Sequence, residues 1–445
     1  MKNKIKKYSI KAVGMLSVFL CANFLSACKE QNMADIFNEK ENVAVDNLLE
    51  NLEVVDNFPD NLETEEVLDG DSTDVVEEST SDNMNVEEIE LPTEQIYTAP
   101  EISIIMVGDM LMHTPVEKSA LQEDGTYSYD TIFANTVNEI QAADLAIVNQ
   151  EVIIAGESLG VSGYPAFNAP FALGHDLIEA GFDVICHGTN HALDKGKKGL
   201  KSCLAFWEEN YPEIPVLGIN DSKEMQEEIY VYEQDGLRIA VLNFTYGTNG
   251  IALPSDMPYA VDLLKEDDVV AAIVKAEEIA DFTIVCPHWG TEYVLKQTKE
   301  QEKWAKIFFE NGVDLVIGTH PHVIEPIEMM TDEETGHSML VYYSIGNFVN
   351  WTSSSGSGIA NRMVGGMAQI TVGMDETGKA IILNYGVEPV VAHLTEGTNG
   401  VTTYFLKDYT NALASENEIR KQDEKFSLEY CEELCDKVWG GLWRE

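Results

Sequence analysis

Positive charge is scarce in this chain. Lys and Arg number 28 against 77 Asp and Glu, a formal net charge of −49, and no Lys or Arg lies between Lys40 and Lys118. A protein that grips a phosphate backbone needs clustered cations, so nucleic acid is excluded as a partner. Cysteine is sparse as well, with seven in the chain. Cys21 and Cys28 belong to the N-terminal segment, Cys186 and Cys286 sit in apolar runs, Cys203 in a helix-like stretch, and Cys431 and Cys435 near the C-terminus. No CxxC pair stands among them, which excludes a thiolate zinc site and a cystine-stapled scaffold. A repeat of solenoid period is also missing.

The one apolar run near the start, Ala12 to Leu25, is interrupted by Ser17 and Asn23 and is too short and polar for a helix that crosses a membrane. Lys2, Lys4, Lys6, Lys7 and Lys11 precede it, so residues 1–28 read as a secretory signal. Its end, Leu25-Ser26-Ala27-Cys28, resembles the bacterial lipobox, which implies cleavage before Cys28 and lipid attachment to its sulfur. An uncleaved N-terminal anchor is the alternative. Either one places the remainder outside the cytoplasm, held at the bacterial cell membrane. Residues 29–100 are rich in Asp, Glu, Asn, Ser and Thr. Such a stretch buries too little apolar surface to fold and repels itself, so it is expected to be a disordered, extended tether. A cation-binding or partner-binding role for it stays open.

Residues 101–395 carry the pattern of a folded domain, and residues 396–445 that of a helical C-terminal extension. Apolar runs at Glu101–Val107, Asp144–Val148, Phe182–Cys186, Leu237–Phe244, Phe282–Cys286, Asp314–Ile317 and Met339–Ser344 read as strands. Amphipathic stretches at Tyr129–Ala142, Pro170–Ala180, Lys197–Asn210, Val261–Ala280 and Thr298–Asn311 read as helices between them. Strands also suit Ile229–Tyr232, Gly366–Val372 and Ala380–Pro389, while the tail from Thr403 onward reads as mostly helical. This alternation predicts an α/β sheet with antiparallel strands added later.

Most of these strands stop abruptly at polar residues. Asp109 with His113, Asn149 with Glu151, Asn190 with His191, His288, His320 with His322, and Asn347 all follow an apolar run. A shared sheet edge would gather them although they are distant in sequence. Imidazoles, carboxylates and a carboxamide together form a mixed N/O ligand set, suited to Mn, Fe, Zn or the harder ions rather than to thiolate-seeking metals. Paired ions about 3.5–4 Å apart are a common route to phosphoester hydrolysis, with a nearby imidazole to protonate the leaving oxygen.

Seven motifs occur in order: GDMLMH from Gly108, NQE from Asn149, FNAP from Phe167, GTNHALDKG from Gly188, HWGTEY from His288, GTHPHVIEP from Gly318 and YSIGNF from Tyr343. The series resembles that of the CapA family of capsule and poly-γ-glutamate biosynthesis proteins, related to calcineurin-like metallophosphatases. That resemblance implies a four-layer αββα sandwich of the metallophosphatase type, with the site at the C-terminal ends of the strands. It implies Asp109, His113, Glu151, Asn190, His288, His320 and His322 as ligands of two divalent ions. His191 then acts as the acid, grouped with Asp194 and Glu292 as the catalytic set. The chain departs from the pattern in having Glu151 where Gly-Asp is usual, Thr189 where a second Asn is frequent, Glu325 where Gln is common, and no Asp-x-His. The implied function is metal-dependent phosphoester hydrolysis in the synthesis or export of an anionic surface polymer. Two alternatives stay open: a non-catalytic, membrane-tethered subunit that binds the polymer or its synthase complex, and hydrolysis of an amide in place of a phosphoester.

Overall fold

The computed structural model describes residues 100–395 and 400–444. The signal segment, Cys28 and the acidic tether up to residue 99 lie outside the described residues. Among the described residues no helix is long and apolar enough to cross a membrane.

The chain enters through strand β1 (Glu101–Met110), followed by β2 (Leu145–Asn149), β3 (Val184–Cys186) and β4 (Val216–Leu217), all parallel. Their near-continuous apolar runs are what a parallel sheet covered on both faces requires, and every residue of β2 and β3 is buried. Helices Phe171–Ala180 and Gly196–Asn210 make the crossovers. The first of them buries Leu173, Leu177 and Ala180, at helical spacing, against the core.

A second, six-stranded sheet follows: β5 (Tyr230–Gln234), β6 (Leu237–Thr245), β7 (Phe282–His288), β8 (Leu315–Ile317), β9 (Ile327–Thr331) and β10 (Ser338–Tyr342), in the order β5-β6-β7-β8-β10-β9. Alternation along β6 divides its side chains between two cores. Ile239 and Val241 join the one shared with the first sheet. Ala240, Leu242 and Phe244 face Val269 and Ile273 of helix Glu266–Ile279 and Trp304 and Phe308 of helix Lys299–Glu310. Between the sheets, Cys286 Sγ lies 3.7 Å from Met106 Sδ, and the Tyr342 hydroxyl donates to the Gly386 carbonyl at 2.7 Å.

Strands β11 (Asn347–Val349), β12 (Val364–Met374), β13 (Ala380–Leu394) and β14 (Val401–Phe405) then return to the first sheet, ordered β14-β13-β12-β1-β2-β3-β4 with β11 beside β1. Pairing from β1 through β12 and β13 to β14 is antiparallel. The result is the α/β sandwich expected from the motif series, two sheets face to face with helices outside and a helix at the C-terminus.

Several elements differ from the sequence expectation. The stretch Tyr129–Ala142 is two short helices, Asp130–Phe133 and Val137–Ala142. Thr136 interrupts them, its backbone N–H and its hydroxyl both turned onto the Phe133 carbonyl. The helix expected from Val261 begins only at Glu266, because Val261 and Leu263 bridge Ile219 and Thr245 in extended form. The tail starts with edge strand β14 before the helices Asn411–Glu416 and Leu428–Trp439. The second of these is anchored by Trp439, whose indole N–H donates to the Glu325 carbonyl at 3.0 Å.

Candidate metal centre

Strand register builds the site in two rows. In the first sheet, Asp109 on β1 lies opposite Asn149 on β2 and Asn347 on β11, and Asn149 in turn opposite Cys186 at the end of β3. In the second, Thr245, His288 and Thr319 line up at the ends of β6, β7 and β8. Apart from Asn347, which opens β11, these positions lie at or just past the C-terminal ends of parallel strands, the crevice where α/β sheets place ligands. The gathering therefore uses two facing sheets rather than one shared edge. Close backbone approach makes it possible. A Cβ on Gly108 would lie 1.9 Å from the Gly346 carbonyl oxygen, and one on Gly318 would lie 2.2 Å from that of Tyr343.

Asp109, wholly buried, is held by its neighbours. The Asn149 carboxamide donates to its Oδ1 at 2.8 Å, the His320 backbone N–H reaches the same carboxylate at 3.2 Å, and His322 Nδ1 stands 3.0 Å from Oδ2. His322 Nδ1 also lies 3.1 Å from Asn347 Oδ1, so its Nε2 is the nitrogen left facing the cleft. His288 Nδ1 is 3.0 Å from the Thr319 hydroxyl and its Nε2 2.9 Å from Asn190 Oδ1. His320 and His322 occupy backbone conformations with φ of +99° and +57°. Such values are strained for residues with a Cβ and are kept where the surroundings enforce them, commonly at functional sites.

Glu151 sits among these groups without exposure. Its Oε1 is 3.6 Å from His322 Nε2, 3.8 Å from His288 Nε2 and 3.9 Å from His191 Nε2, yet neither of its oxygens has a hydrogen-bond partner. His320 Nδ1 is likewise buried and unpartnered. Glu151, His320 and His322 offer ligand atoms that all lie within 4.8 Å of one another. Burial, with the Asp109 charge adding to it, pushes the Glu151 carboxyl well above its usual range. Burial and the neighbouring imidazoles hold His288 and His320 neutral, the form that ligates metals. Burial opposes a proton on His322 too, but the Glu151 and Asp109 carboxylates outweigh it and raise this imidazole to about 10. Orphaned carboxylate oxygens and unprotonated imidazoles crowded together fit a cation, which would relieve the cost of burying each.

His191 stands beside this cluster. Its Nδ1 is 2.7 Å from Asp194 Oδ2, an oxygen that also takes the Phe167 backbone N–H at 2.7 Å. The Phe167 ring meets the His191 imidazole edge-on at 4.7 Å. His113 lies at the start of helix Thr114–Ala120, with its ring against Phe167 at 5.2 Å. Burial, then the charges possible on His322, His191 and Arg362, lower it to about 4. Glu292 is exposed in the turn after β7, near enough for its charge to be felt at Glu151 and His322.

Two residues of the cleft carried no expectation. Asn249 lies 3.2 Å from Asn190 Nδ2 and 3.3 Å from His191 Nδ1, and the Tyr246 ring is 4.6 Å from that of His320. Both follow β6 in a polar loop, the same strand-then-loop signal as the others, but without an imidazole or carboxylate to draw the eye.

The family model described as bacterial capsule synthesis protein PGA_cap matches residues 103–352. The PGA biosynthesis protein CapA of Bacillus subtilis is 28% identical over 280 residues, 61% of this chain and 70% of that protein. The capsule biosynthesis protein CapA of Bacillus anthracis is 26% identical over 271 residues, 58% of this chain and 63% of that protein. Among solved structures, the NAD nucleotidase of Haemophilus influenzae superposes with a TM-score of 0.40 at 16% identity, covering 68% of this chain and 60% of that one. A 5'-nucleotidase precursor from Thermus thermophilus gives a TM-score of 0.42 at 14% identity, covering 65% and 54%. The chain thus spans less than two thirds of the second relative and of both these structures.

Proposed function

The chain belongs to the PGA_cap family of bacterial capsule synthesis proteins, and from there we propose that it is a lipid-anchored, extracytoplasmic protein serving the synthesis or export of a capsule polymer such as poly-γ-glutamate, with a cleft that hydrolyses a phosphoester using divalent metal ions. The anchoring part rests on the Lys-rich start and on Leu25–Cys28. The hydrolytic part rests above all on Glu151, a buried carboxylate with both oxygens unpartnered and three imidazole nitrogens within 3.9 Å.

Asp109, Glu151, Asn190, His288, His320 and His322 would hold the metal. When bound, it supplies electrostatic neutralisation of the charge that builds on a transferring phosphoryl group. Asn149, Asn347 and Thr319 orient the ligands through the hydrogen bonds described above. Asp194 draws the Nδ1–H of His191 toward itself, so that a second proton on that ring sits at Nε2, facing the cleft. From there it passes to the leaving oxygen. The Phe167 ring packs edge-on against the imidazole and helps to fix its orientation.

The test is elemental analysis of the purified protein together with cleavage of an aryl phosphate. The expected result is uptake of Mn²⁺ or a similar ion, cleavage only in its presence, and a fall in kcat of about 10²–10⁴ for His191→Ala with metal content unchanged. Activity that survives both His191→Ala and His320→Ala refutes the mechanism. A metal-free, inactive protein that still binds poly-γ-glutamate points to the accessory role instead.

A further inference from the structure

Arg362 is a half-buried cation with no salt bridge among the described residues, although the exposed Glu292 is near enough for its charge to be felt there. It sits in the short turn of helix Ile359–Met363, and its backbone carbonyl accepts from the carboxamides of Asn347 at 2.9 Å and Asn350 at 3.4 Å. Asn347 is the residue whose Oδ1 lies 3.1 Å from His322 Nδ1, so one side chain ties Arg362 to the candidate metal centre. The guanidinium lies flat against Tyr293, 3.4 Å from the ring centroid. Tyr293 belongs to the same wall: its ring is 6.0 Å from that of His322, and its backbone N–H donates to the Pro321 carbonyl at 2.7 Å.

The half-buried guanidinium is poorly satisfied. Its Nη1 donates to the neutral hydroxyl of Thr352 at 3.2 Å, and its Nε is buried without a partner. In a chain of net charge −49, carboxylates are the commonest groups to hand. Yet this Arg, beside the cleft, is stacked on an aromatic face rather than locked in a fork with one of them. A stacked guanidinium keeps its plane fixed and its charge available, so little freedom is lost when an oxyanion docks on its edge.

We propose that Arg362, on its Tyr293 platform, holds a non-reacting anionic group of the substrate, a carboxylate or a phosphoryl oxyanion, beside the His322 side of the cleft. The inference rests on the reading of the cleft as a substrate site, and it deepens that reading by requiring a substrate with a second anionic group next to the reacting one.

Calorimetric titration of the whole protein, metal-loaded and metal-free, with inorganic phosphate and with a short γ-linked glutamate oligomer tests it. Arg362→Gln should weaken at least one of the two by about tenfold, with metal content and melting temperature unchanged. Arg362→Lys should lose most of that affinity too, because an ammonium neither forks nor stacks. Loss for phosphate alone assigns a phosphoryl group, and loss for the oligomer alone a carboxylate. Equal affinities in all three proteins overturn the proposal, as does a wild type that binds neither probe. Should Arg362→Gln lower the melting temperature, Tyr293→Leu keeps the charge and removes the platform; unchanged affinities there overturn it equally. Probe binding lost in Arg362→Gln, in a protein that cleaves no ester, keeps this role and removes the hydrolase reading. Metal-dependent cleavage with KM and both affinities unaltered in Arg362→Gln does the reverse.

Discussion

Glu325 lies fully buried in the loop that follows His322. Its Oε2 accepts from the Gln301 carboxamide at 2.6 Å, and its Oε1 has no partner. Burial pushes this carboxyl up from the ordinary 4.5 to about 8, against the pull of the Gln301 hydrogen bond. The folded chain therefore keeps the proton up to about pH 8, whereas the unfolded chain releases it near 4.5. Between those values the folded chain binds more protons, so stability is complete below the window and falls as the pH rises through it. Gln cannot ionise, keeps the shape of the side chain and still presents an oxygen to Gln301. Between pH 5.5 and 8, Glu325→Gln should gain on the wild type by about 3 kcal/mol. Urea unfolding of both proteins at matched metal content measures the gap, and equal m-values show that the unfolded states are comparable. Other raised carboxyls, such as Glu117 and Asp314, are common to both chains and cancel. A gap that stays constant within about 0.5 kcal/mol over this range refutes the reasoning.

Two further outcomes follow from the same geometry. Gly108→Ala sets a Cβ 1.9 Å from the Gly346 carbonyl oxygen, backbone against backbone, so β1 and β11 must part and Asp109 moves with them. The expected loss is more than about 3 kcal/mol of stability together with metal uptake, and a normal melting temperature contradicts it. Asp194→Asn leaves a carboxamide facing His191 Nδ1 where a carboxylate stood at 2.7 Å. Esterase kinetics should show kcat down by at least about tenfold with KM little changed; an unaltered kcat removes Asp194 from the proton path.

Composition and hydropathy alone determined much of this protein. The apolar runs ending at Asp109, Asn149, His288 and Asn347 became strands because only a sheet covered on both faces makes use of such continuous segments. Their polar ends became the cleft because buried strands release polar side chains only at their termini. The motif series carried the sandwich and most of the cluster, since those residues occupy fixed offsets from their strands. Tertiary structure decided what depends on neighbours distant in the chain. Hydropathy tells that β6 is buried but not that Ile239 faces one core and Ala240 another, nor that the polar loop beyond it brings Asn249 to His191. It could not show Thr136 breaking a helix, Val401–Phe405 completing a sheet edge, or Arg362 lying on Tyr293. Asp109 and His113, four positions apart, sit on different elements: the strand end fixes the first, while the second opens the helix that follows, with its ring against Phe167. Sequence spacing sets where a side chain leaves the backbone; what it meets there is set by register and by the packing of the two sheets.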